Sequence, residues 1–306
     1  MELRKVVIPA AGLGTGFLPY TKAVPKEMLP IIDKPVIHHI FEECIASEMT
    51  EIFVVVSSRK NAIADHVDSS ADLEAYLAER GQMNLLTSTQ RLARMASYAF
   101  IRQSEPLGSG HAVSLAQHCI GKEYFAIVLP DDFIDAQEPT LKHLMRIARQ
   151  EKTSIVAVQE IPQSAVSTHN VISIKKTLTS SLLQVADIVE QPSQRDAPST
   201  LALVGRMIIS HKIFAALEYA NTHSEKREIS LASGISQMIR ANERVLAYKI
   251  PGIRYDLRNP LGWLKAVVGM GLKNPAYAPH LHALIEDAEP IKTVAFSPAR
   301  MVEQGR

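Results

Sequence analysis

The stretch Val6–Pro35, VVIPAAGLGTGFLPYTKAVPKEMLPIIDKP, constrains the fold of this chain more than any other. Val6-Val7-Ile8 is a short apolar run of the kind a buried strand carries. Ala10, Ala11, Gly12 and Gly14 then leave the following turn nearly bare. With no Cβ in the way, backbone N–H groups in such a turn can approach an anion or a planar base closely. Lys22 and Lys26 come soon after as point cations suited to phosphate charge. Alone, a glycine turn is equally well explained as a plain βα connection. Thr15, the Pro25–Pro30 segment PKEMLP and Asp33-Lys34-Pro35 weigh towards the ligand-binding reading.

The next elements set the fold class. Val36, Ile37, Ile40, Phe41, Cys44 and Ile45 recur at helical spacing, and Glu51–Val56 is a β-branched strand run. Strand, glycine turn, helix, strand reads as a right-handed parallel βαβ unit. Asn61–Val67 starts another helix, and residues 68–98 read as helices without chemistry. Tyr98–Gln103 is β-like and leads into EPLGSGHA, a second loop-to-helix turn, with Ala112–Ala116 helical. Its N–H groups either face a ligand or cap the helix. Phe125–Leu129 is a near-continuous apolar run, as in a central strand buried on both faces. It ends at Pro130-Asp131-Asp132, where open α/β sheets place ligands. Paired aspartates there are either turn residues or hard oxygen ligands of the kind Mg²⁺ takes. Ser154–Val158 is a further strand, His169–Ile174 and Leu182–Val189 form a hairpin-like pair, and Trp263–Leu272 is an amphipathic helix.

Several of these segments together resemble the sugar-phosphate nucleotidyltransferases, and among them the bacterial UTP–glucose-1-phosphate uridylyltransferases. The family pattern G-x-G-T-R-x-x-P, P-K-E-M-L-P, D-K-P is matched from Gly12 to Pro35 apart from its arginine. The segment Gln103–Ala112, APSTLALVGR at Ala197–Arg206, Arg227–Leu231 and Arg254-Tyr255-Asp256 extend the likeness in order, from about residue 5 to about 272. The resemblance implies a three-layer, Rossmann-like α/β fold with a mostly parallel central sheet. Residues 1–272 would form the nucleotidyltransferase domain, with nucleotide binding in about 1–135 and sugar binding in about 136–260. Residues 273–306 would be a C-terminal helical tail, loosely ordered after Pro290.

The implied reaction joins UTP and glucose 1-phosphate into UDP-glucose and releases pyrophosphate. Lys26 and Asp131 would be catalytic. Ala10, Ala11, Gly12, Gly14, Thr15, Glu27, Gln103 and Gly108 would bind the nucleotide, with Gln103 and Gly108 reading the uracil. Asn170, Glu190, Gln191 and Glu228 would bind the sugar. Asp131 and Asp256 would share one Mg²⁺. Four positions depart from the pattern. Gly16 stands for the phosphate-gripping arginine, Gln191 for a lysine, Asn170 for a glycine, and Leu257–Pro260 for a segment with a glycine and a lysine. Loss of such a cation costs roughly 10³- to 10⁵-fold in comparable phosphoryl-transfer sites. Three readings follow: a working transferase with Arg258 or another residue as replacement cation and an open choice of sugar and nucleotide; a weak paralogue that binds nucleotide or nucleotide-sugar and modulates an active homologue; and an NAD-dependent oxidoreductase. The third lacks its fingerprint, because Phe17 stands where G-x-G-x-x-G needs glycine.

Charge and cysteine content narrow the setting. Lys+Arg of 33 against Asp+Glu of 32 gives a net charge of +1, so no basic field points to nucleic acid. The N-terminal apolar run is too short for a signal peptide or membrane span, which leads us to expect a cytoplasmic, membrane-free protein. Two cysteines, Cys44 and Cys119, sit in apolar patterns and read as buried free thiols. Homo-oligomerisation is expected from the resemblance, with residues 261–306 available for contacts.

Overall fold

Val6 and Ile8 face one hydrophobic core while Val7 faces another, which is why the run Val6–Ile8 has no polar position. The same alternation holds in Phe125–Val128, where Ala126 and Val128 oppose Phe125 and Ile127. A strand buried on both faces needs helices on both, and the computed structural model, which describes residues 1–223 and 227–287, has that three-layer arrangement. The strands are β1 (Lys5–Pro9), β2 (Pro30–Ile31), β3 (Lys34–Pro35), β4 (Glu51–Val56), β5 (Ser97–Arg102), β6 (Tyr124–Val128) and β7 (Asp132–Asp135). They continue as β8 (Ser154–Glu160), β9 (Asn170–Thr177), β10 (Leu182–Glu190), β11 (Leu201–Ser210), β12 (Val245–Lys249) and β13 (Ile253–Asp256). The helices are α1 (Val36–Ala46), α2 (Asn61–Asp65), α3 (Ala71–Glu79), α4 (Met83–Met95), α5 (Gly108–Ser114) and α6 (Gln117–Ile120). They continue as α7 (Thr140–Glu151), α8 (Ile213–Thr222), α9 (Leu231–Arg240), α10 (Pro260–Lys273) and α11 (Ala278–Glu286).

The central sheet has the order β5-β4-β1-β6-β11-β8-β12-β10-β9. β5, β4, β1 and β6 pair in parallel, as the βαβ reading requires. The other half corrects the expectation of a mostly parallel sheet. β11 runs antiparallel to both β6 and β8, and β10 antiparallel to both β12 and β9. The sheet is therefore mixed. An apolar run such as Leu201–Ile209 carries no mark of direction, which is set by the strands it enters between.

Helix α1 buries Val36, Ile37, Ile40, Phe41 and Cys44. At about 1.5–3 kcal/mol for each fully buried large apolar side chain, packing outweighs intrinsic helix preference here. Two ends near the site are capped by side chains. Ser230 Oγ accepts from the Ser233 amide at 2.9 Å to start α9, and Asn259 Oδ1 from the Gly262 amide at 3.0 Å to start α10. Cys44 is buried as expected, but Cys119 is exposed, because α6 turns only Ile120 into the core. The tail after Pro290 lies outside the described residues. No helix among them is long and apolar enough to cross a membrane.

Candidate active site

β5, β4, β1 and β6 all end on one edge of the sheet, and the segments that leave them enclose a cavity of about 450 Å³. Ala11, Gly12 and Thr15 line it from the bare loop after β1. Gln103 and Gly108 line it from the segment after β5, and Asp131 from the turn after β6. Lys26, Glu27 and Glu228 complete the residues expected from the sequence, so Glu228 lies among the nucleotide-side residues. Ala10 does not reach the cavity. It is 1% exposed, and its N–H donates to Val55 O at 2.8 Å. Gly14 shapes the loop from behind, with φ 71° and its carbonyl accepting from Thr21 Oγ1 at 2.7 Å. Lys22 is exposed and off the cavity wall.

Lys26 and Asp131 form an ion pair on this wall. Burial works against the ammonium, but Asp131 and Glu27 outweigh it and hold Lys26 protonated beyond its ordinary range. Glu27 is 1% exposed, and both its oxygens lie 2.7 Å from Lys60 Nζ. Burial pushes the Glu27 carboxyl up against the pull of Lys60 and Lys26, and pushes the Lys60 ammonium down against the pull of Glu27. This buried pair fixes the turn Lys26–Met28 and so aims Lys26.

The two adjacent aspartates have different roles. Asp132 is buried, with Oδ2 accepting from the Gly205 amide at 2.7 Å and Oδ1 from Arg254 Nε at 2.6 Å. Its capacity is used by the scaffold. Arg206, 0% exposed, clamps the same turn by donating to Leu129 O (3.1 Å), Gly205 O (3.0 Å) and Asp132 O (3.0 Å). Its Nε and Nη2 also reach Glu43 Oε2 at 2.9 and 2.8 Å. Gly205 is required at this spot, since a Cβ there would lie 2.6 Å from Leu129 Cβ. The turn is thus held from behind, and Asp131 is the member that faces the cavity. Arg206, Lys60 and His169 were not singled out from the sequence. An arginine inside the apolar run Leu201–Ile209 was the available signal, because a buried charge must be paired.

Asp256 comes to the same corner by strand pairing. β13 runs antiparallel to β7 with Asp256 opposite Asp132, and the Leu257 amide donates to Asp131 O at 2.7 Å. The Asp256 carboxylate receives Arg258 Nε at 2.8 and 3.0 Å, Arg258 Nη2 and the Arg258 amide at 3.1 Å. Burial pushes this carboxyl up, yet Arg258 and His169 outweigh it and hold the group well below the usual carboxylate range. Among the described residues no three His, Cys, Asp or Glu side chains converge as a metal cage. Mg²⁺ needs only one or two carboxylates beside substrate phosphates and water. Asp131, on the cavity wall with a single lysine partner, suits that donor set. Asp256, with both oxygens on Arg258, suits it only if Arg258 moves.

Of the residues expected on the sugar side, Asn170, Glu190 and Gln191 do not line this cavity, while Glu228 does. Asn170 and Glu190 are register partners in β9 and β10, and Ser230 Oγ donates to Glu190 Oε1. Gln191 follows at φ 43°, its amide donating to His169 O at 3.2 Å. Gln103, 5% exposed, donates from Nε2 to Gly108 O at 3.2 Å and lies 2.8 Å from His111 Nδ1. Its amide oxygen remains as an acceptor. The loop after it differs from expectation. Gly108 and Gly110 lie inside α5, and the Gly110 amide donates to Ile229 O at 2.8 Å, so it does not face a ligand.

A bare loop, an aimed lysine and an aspartate at the carboxyl edge of parallel strands are features that suit a phosphorylated ligand in an α/β fold. The nucleotidyl transferase family profile matches residues 5–264, and the chain belongs to that family. It is 41% identical over 286 residues to the UTP–glucose-1-phosphate uridylyltransferase YngB of Bacillus subtilis strain 168, covering 94% of this chain and 95% of that protein. It is 39% identical over 290 residues to a UTP–glucose-1-phosphate uridylyltransferase of Staphylococcus epidermidis, covering 94% and 99%. Among solved structures, the UTP-bound UGPase of Acinetobacter baumannii superposes with a TM-score of 0.85 at 30% identity, over 94% of this chain and 100% of that one. A UDP-glucose pyrophosphorylase in complex with UDP-glucose gives 0.81 at 32% identity, over 89% and 100%. The oxidoreductase reading has no support in any of these likenesses.

Proposed function

We propose that this protein transfers the uridylyl group of UTP to glucose 1-phosphate. A phosphate oxygen of glucose 1-phosphate attacks the α-phosphorus of UTP, the bond to the β-phosphate oxygen breaks, and pyrophosphate leaves with that electron pair. The observation that carries the reading is the cavity that sets Lys26, Asp131 and the bare loop around one space. Such a step needs positioned reactants and neutralised charge more than covalent help. The Gln103 oxygen suits the N3–H of a uracil. Lys26 meets the phosphates, and the Gly12–Thr15 backbone approaches them without steric hindrance. Glucose 1-phosphate enters beside Asn170, Glu190 and Gln191. A Mg²⁺ ion arriving with UTP would be held by Asp131 and would neutralise phosphate charge.

The test is pyrophosphate release from UTP and glucose 1-phosphate with Mg²⁺, with UDP-glucose identified by mass. Turnover is expected with UTP, and Lys26→Ala should lower it by about 10³-fold. UTP binding without turnover on any hexose 1-phosphate would overturn the reading in favour of a nucleotide-binding paralogue.

A further inference from the structure

We propose that Arg258 is the resident cation of this centre: its guanidinium fills the Asp256 carboxylate in place of a divalent ion, which is left with Asp131 alone. The geometry is that of a built site. Besides Asp256, Arg258 Nη1 donates to Thr168 O at 3.1 Å and Nη2 reaches His169 Nε2 at 3.2 Å. His169 is itself held, with Nδ1 2.9 Å from Ala165 O and Nε2 3.6 Å from Asp256 Oδ2. One side chain thus ties the end of β13 to the start of β9, beside Asn170 on the sugar side. An Nη1 hydrogen is left without a partner among the described residues, on a side chain 41% exposed. A planar guanidinium with a free donor is suited to a phosphate oxygen.

Gly16 shows that this placement is built into the backbone. A Cβ at Gly16 would lie 2.2 Å from the Arg258 carbonyl oxygen. The nucleotide loop and the Arg258 turn are packed main chain to main chain, so no side chain can leave position 16. The cation on Asp256 therefore comes from position 258, beside the Lys26 ammonium on Asp131. A divalent ion that claimed Asp256 would have to displace two donor atoms of the guanidinium and then sit beside its charge. Like charges that close repel, so Asp256 stays with the arginine.

The inference rests on the proposed reaction only for its catalytic consequence, and its test reads ion binding to the free protein. Mn²⁺ binding to the full, nucleotide-free chain is measured by electron paramagnetic resonance of the unbound ion. The wild type and Asp256→Asn should bind Mn²⁺ equally. Arg258→Ala should bind it at least about tenfold more tightly, and the added Asp256→Asn should abolish that gain. Arg258→Lys, which keeps the charge, should stay near the wild type. Weaker Mn²⁺ binding in Asp256→Asn than in the wild type, or no gain in folded Arg258→Ala, would overturn the assignment. Should Arg258→Ala not fold, the Asp256→Asn comparison still decides. Absence of turnover in the wild type counts against the proposed reaction and leaves this result standing.

Discussion

At the residue scale, the departures from the family pattern are not independent losses. Position 16 has no room for a side chain because the backbone of Arg258 presses on it, and the Arg258 side chain carries a cation to Asp256. Restoring arginine by Gly16→Arg is therefore expected to lower stability by about 1–3 kcal/mol, as overpacking does, and to add no turnover. Urea unfolding and the pyrophosphate assay check both halves. Glu42 gives a pH test. The hydrogen bond from His38 is the largest influence on it, burial opposes and Lys34 helps, and the carboxyl is lowered from 4.5 to about 2. A carboxyl depressed in the folded state contributes stability that is present above its unfolded value and lost as pH falls through its folded one. Acid should therefore weaken the wild type between 4.5 and about 2 more than it weakens Glu42→Gln, measured as unfolding free energy at each pH.

At the element scale, the turn between β6 and β7 is the part the site depends on, and it is held by β11. Arg206 bonds carbonyls on both sides of Pro130-Asp131, while Glu43 of α1 neutralises its charge. Arg206→Met leaves Glu43 without its main partner and the turn without its clamp. Removing one member of a buried ion pair costs about 3–5 kcal/mol, and we expect that loss in denaturant unfolding. A second consequence is expected in kinetics: any folded fraction should lose kcat more than it gains KM, because Asp131 is displaced and the Gln103 end of the cavity is not. Strands were legible one by one, since an apolar run between turn residues is a local property. β1, β4, β5, β6 and β8 all stand where their sequences put them. The direction of β11 was not legible, because pairing partners belong to distant segments.

At the scale of the whole molecule, the sheet separates two cores and leaves one edge for the ligand. Parallel strands β5, β4, β1 and β6 supply the cavity, and the mixed half β11 to β9 supplies Asn170, Glu190 and the clamp. A ligand that bridges segments from the whole chain stabilises the folded state by mass action. UTP at 100 times its dissociation constant is expected to stabilise the wild type by about 2.7 kcal/mol. The thermal midpoint should rise accordingly, and Lys26→Ala should lose most of that rise.

The sequence alone determined the bare loop, the position of Lys26 and Asp131, the strands and the likeness to nucleotidyltransferases, because each is carried by residues close together in the chain. Only the tertiary structure decided what each group is free to do. Asp132 is tied to the scaffold while Asp131 is exposed to the cavity; the Gly110 amide is taken by Ile229. Asp256 meets Arg258 in a turn that presses on Gly16. The physical reason is that hydrogen bonds and ion pairs saturate. A donor or acceptor used by one partner is unavailable to a ligand, and those partners are chosen by packing between segments that the linear order does not bring together.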